Sequence, residues 1–256
     1  MNHRVEKQKN INVIVGSTKE QITAKNKLAK FIRESNIPDQ ELLDNLGLYL
    51  TRQNISRILL MQKLYKKIID VPGVVMEFGV RWGQNISLFQ NFRGIYEPYN
   101  YNRKIIGFDT FSGFPSTHEK DGENNKTGDY LVTENWENEL EDILYFHNDN
   151  SPINHKKKFE LVKGNAIKTL PEYLKQNPHT VIAFAYFDFD IYEPTKVCLE
   201  KILPHLTRGS IIAFDEINCS DFPGETIALN EILGINNISL KRDPHNPLVA
   251  YFIYDV

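Results

Sequence analysis

Apolar residues along the chain follow two patterns. Continuous apolar runs at 181–185 and 211–214 predict strands covered on both faces, within a series of strands near 74–80, 104–109, 159–163, 180–188 and 210–215. Stretches with apolar positions at helical spacing lie between most of these runs. Strand and helix in alternation predict an α/β chain with a doubly wound parallel sheet. After a helix near 224–233, runs at 238–241 and 249–254 flank Asp243, Pro244, His245, Asn246 and Pro247. A link that short suits an antiparallel hairpin at the sheet edge.

Upstream of the first core strand the pattern changes. Residues 11–18 predict a short strand, and a helix from about 20 to 33 ends before Pro38. A second helical region runs from about 40 to 70, its apolar positions (Leu46, Leu50, Ile55, Ile58, Leu59, Met61, Leu64, Ile68) recurring near helical spacing. The expected organisation is a helical arm or lid at 1–71 and a core at 72–256. The core carries a polar insertion at 116–158 with one acidic helix at 136–146. Excursions beyond the carboxyl ends of strands commonly carry specificity.

Composition narrows the partners. With 256 residues, 41% hydrophobic and 25% charged, the chain has material for one sizeable core. A net charge of -3 offers no global attraction to nucleic acid or to an anionic membrane. The basic run at 155–158 reads as a solvated loop. Cys198 and Cys219 form no C-x-x-C pair, which excludes a thiolate zinc site and suits a reducing cytoplasm. The polar N-terminus and the absence of a run near 18 apolar residues predict neither signal peptide nor membrane span.

The candidate chemistry sits where the apolar runs end. Phe187-Asp188-Phe189-Asp190 closes one run and Asp215-Glu216 another, so carboxylates are directed to the crevice where α/β sheets bind ligands. Oxygen donors on adjacent strand ends suit a hard cation such as Mg²⁺, and crowded carboxylates need a compensating cation or proton. The first core strand ends in Glu77-Phe78-Gly79-Val80-Arg81-Trp82-Gly83. Its G-x-x-x-G form is not the dinucleotide G-x-G-x-x-G, and the acid before the first glycine suits a cofactor bearing an amine or a sulfonium. The next strand ends in Asp109, followed by Thr110 and Ser112, with the acid placed to accept the hydroxyls of a ribose. Gly164 and Asn165, at the third strand end, are candidates for an adenine pocket.

Other readings stay open at this point. Asp188-x-Asp190 also fits a metal-dependent glycosyltransferase that holds a nucleotide-sugar pyrophosphate. A non-enzymatic binding subunit predicts lost acids, and all are present. Gly16-Ser17-Thr18 reads as a helix cap. His118, His147 and His245 are candidate bases or acceptor contacts, and Trp82, Trp136, Tyr130 and Tyr192 candidates for stacking on a sugar. Glu225 and Thr226 read as helix-start residues near the acidic cluster.

Taken in order, these segments resemble the macrocin O-methyltransferase family of sugar O-methyltransferases that use S-adenosylmethionine. The family's E-x-G-V-x-x-G, D-S-F-x-G-L-P, D-x-D-x-Y-x-S-T and D-D segments correspond here to residues 77–83, 109–115, 188–195 and 215–216. The resemblance spans residues 72–220. It implies a class I methyltransferase fold, Rossmann-like, with seven strands and the last one antiparallel. It also implies cofactor binding at Glu77, Phe78, Gly79, Asp109, Thr110, Ser112, Gly164, Asn165 and Asp188, with Mg²⁺ on Asp188, Asp215 and Glu216. Asp188 is then also the general base. The implied partner is a small-molecule sugar acceptor, nucleotide-linked or glycoside-linked, and a homodimer or higher homo-oligomer is expected. The chain departs from the pattern at Glu216, Phe189 and Pro194, where the family usually has Asp, Gly and Ser.

Overall fold

The computed structural model describes residues 17–244 and 246–255. The strand expected at 11–18 therefore lies almost wholly outside the described residues, as does His245. Seven strands form one sheet: β1 (Val74–Phe78), β2 (Ile105–Asp109), β3 (Phe159–Lys163), β4 (Ile182–Phe187), β5 (Leu206–Phe214), β6 (Lys241–Asp243) and β7 (Asn246–Ile253). Their order is β3-β2-β1-β4-β5-β7-β6. The first five are parallel, and β7 runs antiparallel between β5 and β6. This is the class I methyltransferase arrangement. The final hairpin forms as the pattern predicted, with its first strand at 241–243 and not 238–241.

Eight α-helices among the described residues complete the chain. They are α1 (Lys19–Arg33), α2 (Asp39–Leu42), α3 (Arg52–Lys66), α4 (Gln84–Tyr96), α5 (Trp136–Asp149), α6 (Ala166–Gln176), α7 (Tyr192–Ile202) and α8 (Pro223–Leu233). Alternate residues of each strand feed opposite layers. Val75, Phe184, Tyr186 and Ile211 pack with Leu64 of α3, Phe89 of α4 and Leu144 of α5. Met76, Phe108, Phe187 and Ile212 pack with Leu170 of α6 and Leu199 of α7. β4 is buried along its whole length, as a central parallel strand must be. None of the described helices is long and apolar enough to cross a membrane.

The expected single helical region at 40–70 is broken into α2, a 3₁₀ turn at Leu46–Tyr49, and α3. The reason is local. Thr51 is extended and forms a reciprocal capping box with Asn54, which starts a new helix where apolar spacing alone would continue the old one. Thr18 caps α1 in the same way with Gln21. Arg103 ties the segment after α3 to the sheet: its buried guanidinium donates to Glu97 and to the carbonyls of Ile68, Val71 and Gly73. The basic run 155–158 also departs from expectation. Lys158 is buried and its Nζ donates to the carbonyls of Pro152, Ile153 and Lys156.

Register positions the chemistry. Phe108, Phe78, Phe187 and Phe214 are partners across β2, β1, β4 and β5. Their rings stack with centroids 5.3, 4.7 and 5.0 Å apart. The next residue on each strand is Asp109, Gly79, Asp188 or Asp215. Four apolar rings thus lie level beneath one row of functional positions.

Candidate active site

That row opens into a cavity of about 550 Å³ at the carboxyl ends of the strands, where chain order reverses between β1 and β4. Gly79, Asp109, Thr110, Gly164, Asn165, Asp188, Asp215 and Glu216 all line it. Ser112 is exposed and lies off the cavity, its N–H donating to the Thr110 hydroxyl. The Phe78 side chain belongs to the ring stack below, and its carbonyl accepts the Asp188 N–H at 2.7 Å.

The turn after β1 is tightly built. Gly79, at φ +94°, lies against the Asp188 carbonyl, where a Cβ would come within 1.9 Å of the oxygen; only glycine fits. Asp109 accepts the Arg81 N–H at 2.7 Å and the Phe111 N–H at 2.6 Å. These amides favour its charge, but burial outweighs them and raises its proton affinity. Glu77 is buried two residues below the row, off the cavity lining, with Oε2 lacking any partner. Burial pushes its pKa up to about 8 against the pull of Asn85 and Arg57.

Asp188, Asp215 and Glu216 each present a carboxylate oxygen within 4.8 Å of the others. Between the first two lies Arg57, from α3. Its guanidinium meets Asp188 Oδ2 at 2.9 Å and Asp215 Oδ1 at 3.0 Å, and donates to Asn85 Oδ1 at 3.2 Å. Burial opposes the charge on Arg57, yet Asp215, Tyr186 and Asp188 hold its pKa well above the ordinary value. Burial, then Asp215, raises Asp188 well above the usual carboxylate range. Glu216 is pushed up to about 11 by burial and by its neighbour Asp190. The Tyr186 hydroxyl donates to Asp215.

Sequence reasoning missed Arg57. It lies 131 residues from Asp188 and 158 from Asp215, and nothing local distinguishes it from a solvated helix arginine. Asp190 takes the left-handed region at φ +63° and turns toward Glu216. Glu225 accepts backbone N–H groups from both acidic turns. Of the aromatic candidates, Trp82 and Tyr130 line the cavity with Arg81 against the Tyr130 ring at 4.9 Å, and Trp136 packs edge-on to Trp82. His118 caps a 3₁₀ turn beside Tyr192, and neither His118 nor His147 lines the cavity. The insertion is anchored over the site by Asp121, whose Oδ1 accepts the first N–H of α7 at 2.6 Å.

Comparison with known proteins follows the same lines. The model of the macrocin O-methyltransferase (TylF) family matches residues 50–230. The chain belongs to this family. A solved structure described as CalS11, a calicheamicin methyltransferase, is 42% identical, with 94% of this chain and 95% of that one covered and a TM-score of 0.91. An apo structure of CalS11, described as TDP-rhamnose 3'-O-methyltransferase in calicheamicin biosynthesis, is 40% identical over 94% and 97% of the chains, with a TM-score of 0.84. The O-methyltransferase NovP, 19% identical over 79% and 81%, shares the fold with a TM-score of 0.57. No curated protein sequence matches the chain at comparable stringency.

The protein is thus an O-methyltransferase of the macrocin family. A glycosyltransferase built on Asp188 and Asp190 finds no support, because the family transfers methyl groups and the two acids diverge toward Arg57 and Glu216. Gly79, Asp109, Thr110, Gly164 and Asn165 line a cavity that could take S-adenosylmethionine, whereas Glu77 lies beneath the lining with its buried Oε2 lacking a partner. Asp109 could take ribose hydroxyls. The Asp188, Asp215 and Glu216 set is all oxygen, which suits a hard dication.

Proposed function

We propose that this enzyme transfers a methyl group from S-adenosylmethionine to a hydroxyl of a nucleotide-linked or glycoside-linked sugar, with Mg²⁺ held by Asp188, Asp215 and Glu216. The observation that carries the proposal is the convergence of these three carboxylates on the cavity that Asp109 and Gly79 also line. The 40% identity to a TDP-rhamnose 3'-O-methyltransferase supports a nucleotide-linked sugar as acceptor.

S-adenosylmethionine, when bound, supplies a methyl carbon made electrophilic by its sulfonium, and a bound dication lowers the pKa of a hydroxyl that reaches it. The chain's own residues do the rest. Asp109, on the cavity wall, would hold the ribose end of the cofactor, with Glu77 beneath its methionine end. With the cofactor bound, its methyl group would pass to the acceptor oxygen and the electron pair of the carbon–sulfur bond would stay on sulfur. Asp188, on the cavity wall, takes the displaced hydroxyl proton. Trp82 and Tyr130 offer apolar ring surface to a sugar face.

The same reading places the enzyme in the cytoplasm, where Cys198 and Cys219 stay as free thiols. It also makes the enzyme a homo-oligomer. Helix α1 buries no residue and leaves Ile22, Phe31 and Ile32 exposed, which supports assembly through the arm.

The test uses TDP-rhamnose and the corresponding rhamnoside as acceptors, with methylation followed by mass spectrometry. Methylation of either sugar, lost in EDTA and restored by Mg²⁺, is the expected result. Undiminished methylation in EDTA by both the wild type and Asp188→Asn overturns the metal and base roles.

A further inference from the structure

Every carboxylate of the proposed metal site hangs from one of two short turns, at 188–190 after β4 and 215–218 after β5. Each turn holds a non-glycine residue in the left-handed region, Asp190 and Asn218, both at φ +63°. Such turns persist only when their surroundings fix them. One side chain reaches both. Glu225, fully buried in the first turn of α8, accepts the N–H of Phe189 at 3.1 Å and of Asp190 at 3.3 Å on Oε1. It accepts the N–H of Glu216 at 3.3 Å on Oε2.

We infer that Glu225 is a positioning residue, a clamp that sets the spacing between Asp188 and the Asp215–Glu216 pair. The argument is chemical. Three amides from two segments need two acceptor atoms and no donor, and among side chains only a carboxylate offers that. A glutamine has one acceptor, and its amide group would face an N–H. Glu225 does not line the cavity. The base on which it stands is rigid: a Cβ at Gly224 would lie 2.5 Å from the Tyr192 backbone nitrogen, so α8 starts hard against the start of α7. The clamp rests on the metal reading for its function but not for its geometry.

The test compares the wild type with E225Q in three measurements: calorimetric Mn²⁺ affinity, calorimetric S-adenosylmethionine affinity, and amide hydrogen exchange. Expected is a Mn²⁺ Kd raised at least about tenfold, as for other outer-shell partners of metal ligands. The cofactor Kd should stay within about twofold, because Glu77 and Asp109 lie on β1 and β2, and exchange should quicken in both turns. A merely structural role would lower the melting temperature without separating the two affinities. A folded E225Q with wild-type Mn²⁺ affinity or wild-type exchange overturns the clamp. If the wild type binds no Mn²⁺, the metal reading fails, and exchange in the two turns alone decides for or against the clamp. Should E225Q not fold, the wild-type amides of Phe189, Asp190 and Glu216 are read by NMR. Joint protection supports the clamp, and unprotected exchange at any of the three overturns it.

Discussion

Arg57→Met should tighten divalent-cation binding. The guanidinium now lies 2.9 Å from Asp188 and 3.0 Å from Asp215, two of the three carboxylates proposed for Mg²⁺. With an effective dielectric constant near 20, a unit charge and a dication about 5 Å apart repel by roughly 6–7 kcal/mol. The Arg57 side chain is 24% exposed, and solvent and salt remove most of that repulsion. We take about 1.4 kcal/mol, tenfold in affinity, as the floor. Methionine keeps the length and apolar stem of the side chain, so the helix face against Tyr186 stays filled. Isothermal titration with Mn²⁺ reads the affinity directly. A thermal scan adds a second readout: the variant alone should melt below the wild type, because Asp188 and Asp215 lose their counter-charge, and Mn²⁺ should raise its melting temperature by more. Equal or weaker Mn²⁺ binding by the variant would refute the reasoning.

Three further outcomes follow from the described geometry. Asp109→Ala should weaken S-adenosylmethionine binding at least about tenfold by calorimetry, since a carboxylate–hydroxyl pair is lost; unchanged binding removes the ribose role. Glu77 has a folded pKa of about 8 against an ordinary 4.5, so its contribution is full below pH 4.5 and fades as pH rises through 8. Glu77→Gln should therefore show a smaller fall in melting temperature between pH 5 and pH 8 than the wild type, and an identical fall would contradict the assignment. Arg103→Met leaves Glu97 buried without its cationic partner and should destabilise the fold by about 3–5 kcal/mol in urea titration; a loss under about 1 kcal/mol would show that this tie is not structural.

The sheet was legible because its strands are buried on both faces, which leaves uniform apolar runs such as 182–187. The row Asp109, Gly79, Asp188 and Asp215 was legible for the same reason: a polar residue that ends such a run stands where the sheet meets its crevice. Contacts across sequence were not legible. Arg57 reaches the site from an amphipathic helix whose pattern reports only that one face is covered. Glu225 looked like a helix-start acid, and its three amide partners exist only once β4, β5 and α8 are assembled. Lys158 looked solvated because a basic run carries no sign that nearby carbonyls will fold around one ammonium. The break between α2 and α3 was written in Thr51 and Asn54, but helical spacing on both sides masked it.

The four stacked phenylalanines act as a levelling course for the chemistry above them. In each strand the phenylalanine and the functional residue that follows it face opposite sides of the sheet. A slip of one residue in β4 or β5 would turn a phenyl ring toward Arg57 and drive a carboxylate into the apolar layer under α6 and α7. Misregistered sheets are therefore penalised twice, once in packing and once in charge, and an enzyme with its acids out of line is also one that does not fold. The same layer seals the carboxylates from below. The cavity above it is therefore approached from the side away from the rings.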